Sequence, residues 1–152
     1  YGDFMSNDEE NSKMLFYIKM SKDLYDSMIE EEARKCGITK QEAHVLLFFS
    51  NNPNFSNATD AVCYRGFSKA YVSKAIKFLE ERRLIKIINS DTDKRYQHIL
   101  INSIAYDIVD KLKKVQNKYF LLLKKGISDD EFSIYLKVIG KIAENVMNKM
   151  KG

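Results

Sequence analysis

The 152-residue chain is 45% apolar and 30% charged, with a net charge of +4, which excludes a disordered chain. No apolar run approaches the ~18 residues of a membrane span, and residues 1–11 are polar and acidic rather than leader-like. Two cysteines, Cys36 and Cys63, make neither a disulfide framework nor a zinc site, so the cytoplasm is the expected compartment.

One proline and six glycines leave few breakers, so long helices are expected. Met14, Tyr17, Ile18, Leu24, Tyr25, Met28 and Ile29 recur at helical spacing, which predicts a first helix over Glu10–Arg34 stopped by Gly37. Thr39 and Glu42 form a capping box for a second helix running to Ser50, broken by Asn51–Asn54. Asn57 caps a short third helix, Ala58–Arg65, ended by Gly66. Ser68 caps a fourth, from Lys69 to about Arg83.

The period then changes from 3.6 to 2. Ile85–Ile88 and Arg95–Ile101 read as two strands of a hairpin with a charged tip. Asn102 and Ser103 offer caps for a fifth helix with the stripe Ile104, Ile108, Leu112, Val115, Tyr119 and Leu122. Gly126 ends it. Ser128–Glu131 is a further capping box, opening a last helix that carries Phe132, Leu136, Ile139, Ala143, Val146 and Met150. The fold class is therefore mainly α, six helices with a two-stranded β-wing.

Charge is unevenly distributed. Between Arg65 and His98 stand nine basic residues against four acidic ones, so the rest of the chain is close to neutral. A basic module on a neutral scaffold suits a polyanion such as nucleic acid, although a solvated surface gives the same count. The informative feature is where this charge falls: helix, tight glycine turn, helix, hairpin. Gly66 supplies the left-handed backbone such a turn needs. Val62 and Val72 flank it as contact residues, and Ile76 and Leu79 continue the buried face. The opposite face carries Lys69, Ala70, Tyr71, Ser73, Lys74 and Lys77. Small, hydroxylated and cationic side chains fit a major groove and its phosphates.

Phe67–Glu80, Leu84-Ile85-Lys86 and the wing Asp91-Thr92-Asp93-Lys94-Arg95 resemble the MarR (multiple antibiotic resistance regulator) family of winged helix-turn-helix regulators. The resemblance implies a homodimer reading double-stranded DNA at a palindromic operator, most simply as a repressor, with no cofactor, metal or catalytic residue. It implies a dimerisation region from residues 1–36 and 102–152 around a DNA-binding domain at 37–101. DNA contacts would fall on Ser68, Lys69, Ala70, Tyr71, Ser73, Lys74, Lys77, Lys94 and Arg95, with Arg95 entering the minor groove braced by Asp91 or Asp93. A small aromatic or anionic effector between dimer region and reader lobe is also implied. The chain departs from the family pattern at Arg83, where glycine is usual, so the fourth helix is expected to end differently. Lys94 stands where an arginine is common.

Two other readings compete. A protein-interaction winged helix that has lost DNA binding would show a neutral recognition face. A thiol-based sensor would use Cys36, whose neighbours Arg34 and Lys35 would lower its pKa. Peroxide-sensing relatives carry that cysteine inside the first helix, where Met14–Ile18 has none. Cys63 is expected in the core. His44 and His98 lie on different elements with no ligand-spaced partners, so neither suggests a metal site.

Overall fold

The computed structural model describes residues 7–89, 91–92 and 97–152. The elements are α1 (Asn7–Lys35), α2 (Lys40–Asn51), α3 (Ala58–Arg65), α4 (Lys69–Glu81), β1 (Ile85–Asn89), β2 (Gln97–Ile101), α5 (Tyr106–Lys124) and α6 (Asp129–Lys151), with a 3-10 turn, Ser103–Ala105, before α5. Among the described residues, six helices and one antiparallel two-stranded sheet match the architecture read from the sequence. The chain divides into two compact units, one running to Asn117 and one from Lys118 to Gly152.

In the first unit, α2 is the central element. Every residue from Glu42 to Phe49 is buried. A helix apolar on all sides must be covered on all sides, and α1, α4 and β2 pack against it. Tyr25, Ile29 and Ala33, one residue per turn, are the buried face of α1. The capping boxes at Thr39 and Asn57 form with both reciprocal hydrogen bonds. The hairpin pairs Ile85 with Ile101 and Ile87 with Ile99. The Ile99 N–H also donates to Ser56 O, tying β2 to the chain just before α3 (2.6 Å).

Several expectations are corrected. Asn102 makes no side-chain cap; its Nδ2 donates instead to Arg83 O at 2.8 Å, satisfying a carbonyl at the end of α4. In the fifth-helix stripe, Ile104 and Leu122 are exposed, while Ala105 and Val109 are buried. The 3-10 turn shifts the phase of the helix that follows it. Cys63 is exposed rather than in the core; Ala61, fully buried, takes the inward position on α3.

The second unit, by itself, holds the end of α5, the Gly126 turn (φ 78°) and α6, capped by Ser128 and Glu131. Lys124 lies 4.4 Å from the centre of the Phe132 ring. Most apolar side chains of α6, among them Tyr135, Ile139, Ile142 and Val146, are exposed.

The fourth helix ends as a glycine would end it, without one. Arg83 adopts φ 60°, the sole left-handed non-glycine among the described residues. Its N–H donates to Glu80 O at 2.8 Å, and the Leu84 N–H donates to Leu79 O at 2.9 Å. These two bonds close the C-terminal turn against buried Leu84. The left-handed backbone costs an L-residue about 1–2 kcal/mol, partly offset because arginine also restricts the unfolded chain. Arg83→Gly is therefore expected to stabilise the protein by about 0.5–1 kcal/mol. Urea denaturation checks this: a higher midpoint at unchanged slope is the expected result, and an unchanged or lower midpoint contradicts it.

Candidate nucleic-acid interface

Helices α3 and α4 meet at Gly66, whose backbone is left-handed (φ 71°, ψ 22°). Ser68 then caps α4, its Oγ accepting from the Tyr71 N–H at 3.1 Å. Val72, Ala75, Ile76 and Leu79 are the buried face of α4, and Val62 of α3 is half-buried. The outward face carries Lys69, Ala70, Ser73, Lys74 and Lys77, all exposed, with Ser68 exposed at its start. Tyr71 sits differently. It is half-buried, and its ring stacks on Phe67 (centroids 4.9 Å apart, planes at 20°). Burial, reinforced by the Asp26 charge, pushes its phenol up to about 12, so it is a neutral hydroxyl at physiological pH.

The electrostatics of α4 differ from those of every other helix. The first turns of α1, α2, α3, α5 and α6 each contain at least one acidic residue; that of α4 contains none. Carboxylates there neutralise the positive end of the helix dipole. In α4 that end is left bare and Lys69 is added to it. Lys69 and Lys74 have no carboxylate within ion-pair distance among the described residues, and Lys77 reaches Glu81 only at 4.0 Å. Backbone N–H groups with unneutralised lysines form a surface on which an anion is favoured. On the wing, Asp91 is exposed; Asp93, Lys94 and Arg95 lie outside the described residues.

Behind the turn lies a polar cluster that the sequence reading passed over. His44 of α2 is 4% exposed. Its Nε2 lies 3.2 Å from Asp26 Oδ1 of α1, and its ring centroid is 5.7 Å from Tyr25 and 6.1 Å from Phe67. Burial lowers the His44 pKa to about 4, the Asp26 charge opposing this and Arg65, Lys40 and Lys22 adding to it. Its Nδ1 is buried without a hydrogen-bond partner among the described residues. Burial would raise the Asp26 carboxyl, but the Lys22 hydrogen bond and the charges of His44, Lys22 and Lys40 hold it below its usual value. A cavity of about 480 Å³ opens here, lined by Lys22, Lys40, Arg65 and Tyr71 among others. The available signal was a lone histidine inside the apolar run Ala43–Phe49, where a polar ring needs a partner.

At Cys36 the expected activation is reversed. Burial and the nearby Glu32 carboxylate push its thiol up, and its Sγ lies 3.9 Å from Glu32 Oε1. Among the described residues, no group of three or more potential ligands is arranged to hold a metal ion.

Residues 37–95 match the family model of the MarR family. By sequence, no curated protein matches the chain. Solved structures are similar over most of its length. A MarR family transcriptional regulator from Listeria monocytogenes, in complex with a 26mer DNA, superposes with a TM-score of 0.81 at 18% identity, covering 89% of each chain. A MarR protein from Peptoclostridium difficile superposes at 0.79 and 15% identity, covering 98% of this chain and 94% of that one. The S. aureus MepR–DNA complex superposes at 0.72 and 15% identity, covering 86% and 96%.

The His44 environment sets a pH dependence. Its folded pKa lies near 4 against an ordinary 6.5, so folding favours the neutral ring. The resulting stability is fully present above pH 6.5 and is lost as pH falls toward 4, by a total on the order of 3 kcal/mol. His44→Gln, which cannot titrate, is expected to flatten that part of the stability profile. Denaturation at pH 7 and pH 4.5 checks it: an equal loss in both proteins would rule the assignment out. Residues 37–95 thus match the MarR family model, in a chain with the fold of the solved MarR-family regulators.

Proposed function

We propose that the chain is a sequence-specific duplex-DNA-binding transcription regulator that acts as a homodimer on a palindromic operator. One observation carries it: among the described residues, α4 alone begins without an acidic residue in its first turn, a positive end extended by Lys69 and Lys74 and presented by a glycine turn. Two relatives in fold, from L. monocytogenes and S. aureus, were solved with DNA. On this reading Lys69, Ala70, Ser73 and Lys74 meet the major groove. Ser68, Tyr71 and Lys77 flank it, and the wing brings Lys94 and Arg95, braced by Asp91 or Asp93, to the neighbouring backbone and minor groove. Residues 37–101 are the reader; 1–36 and 102–152 are the dimerisation region.

Repression follows from occupying a promoter. The cavity behind the turn, with lysines at its rim and aromatic walls, suits release by a small aromatic or anionic effector. The cytoplasm is the compartment such a function requires, and no helix among the described residues is long and apolar enough to cross a membrane. The raised Cys36 thiol argues against thiol sensing as the trigger.

Three experiments test the reading. Selection from random duplexes should enrich an inverted repeat with half-sites about 10 base pairs apart, centre to centre. Binding to it should weaken with salt at a log–log slope of roughly −5 to −9, from three to five phosphate contacts per subunit. A flat salt response with no enriched repeat would favour a protein-interaction module instead. The exposed apolar residues of α6, and Met14–Ile18 of α1 at 52–65% exposure, call for a covering partner, here a second copy. Sedimentation at micromolar concentration should give a dimer; a folded monomer would refute the assembly.

A further inference from the structure

His44 does not reach the outward face of α4, yet the side chains that orient that face rest on it. Gly66, at φ 71°, is the backbone with the least conformational preference, so side-chain contacts must set the angle at which α4 leaves the turn. Phe67 and Tyr71 provide them, stacked on each other across the first turn of α4. Both are only half-buried. On their inner side the His44 ring meets Phe67 and is itself wedged against Tyr25, with its Nε2 3.2 Å from Asp26 Oδ1 of α1. An apolar residue would fill the same space but would not hold Asp26. The imidazole does both, at the cost of burying Nδ1 without a partner among the described residues. The charged and titratable groups around it are Lys22 and Asp26 of α1, Lys40 of α2, Arg65 of α3 and Tyr71 of α4.

We propose that His44 is a positioning residue for DNA reading: tied to Asp26, its ring fixes the Phe67–Tyr71 pair and hence the placement of Lys69, Ala70 and Ser73 in the groove. The inference rests on the DNA-binding reading above. Phosphate attraction tolerates small displacements of a helix, because Coulomb forces fall slowly with distance. Hydrogen bonds to base edges do not, because they weaken within a few tenths of an ångström. Loosening the first turn of α4 therefore lowers discrimination between sequences and leaves non-specific binding in place.

The test uses the full chain and two duplexes of equal length, the selected inverted repeat and a scrambled one, at neutral pH and fixed salt. His44→Gln keeps a donor aimed at Asp26 and should hold the ratio of specific to non-specific affinity within about threefold of the parent. His44→Phe keeps the packing and loses the donor. Its ratio should fall about tenfold or more, with the non-specific Kd and the salt slope within about twofold of the parent. Asp26→Ala removes the acceptor from the half-exposed flank of α1 and should lower the ratio likewise; it decides the matter if the phenylalanine variant does not fold. An undiminished ratio in the variants that fold overturns the proposal, and so does an equal loss of both affinities by a folded variant. If the parent itself fails to distinguish the two duplexes, the DNA reading falls first and this inference falls with it.

Discussion

The structure depends on the complete burial of α2. With Glu42–Phe49 all removed from solvent, the helix offers apolar surface in every direction, and the first unit is arranged to cover it. That burial also forces the two polar residues within it, Glu42 and His44, to find partners or pay a large desolvation cost. They reach opposite ends of α4. His44 pairs with Asp26 and meets Phe67 at the start of α4. Glu42 Oε2 lies 3.5 Å from Nη1 of Arg82, at the end of α4, while accepting from the Thr39 N–H of its own capping box. Arg82 also donates to Gly37 O at the end of α1. The helix that faces outward is thus gripped at both termini by side chains of the most deeply buried helix.

The distribution of charge follows the same division of labour. On α1, the lysines Lys13, Lys19, Lys22 and Lys35 each meet a carboxylate three or four residues away. Such exposed pairs contribute little to stability, but they cancel the local field. On α4 the cancellation is absent at the end that matters: Lys69 and Lys74 are unpaired among the described residues, and no acid occupies the first turn. A modest net charge is concentrated into a usable one by leaving a single helix start uncompensated.

Caps, turns and periods were legible in the sequence by itself. Thr39 with Glu42, Asn57, Ser68, and Ser128 with Glu131 all cap helices where their spacing placed them, and Gly66 takes the left-handed turn. These features close hydrogen bonds within about four residues, so local sequence determines them. Tertiary structure decided the rest. The stripes of α5 and α6 announce helices, but a period does not say what covers the stripe; Ile104 and Leu122 are exposed, and so is most of α6. Arg83 is left-handed against its own preference because burial of Leu84 and the Asn102 hydrogen bond hold it there. Cys36 has its cations, Arg34 and Lys35, immediately before it in sequence, yet partial burial and a carboxylate one helical turn away decide its pKa. The His44–Asp26 and Glu42–Arg82 pairs join residues 18 and 40 positions apart. Their partners are chosen by how helices pack, and no local pattern encodes that choice.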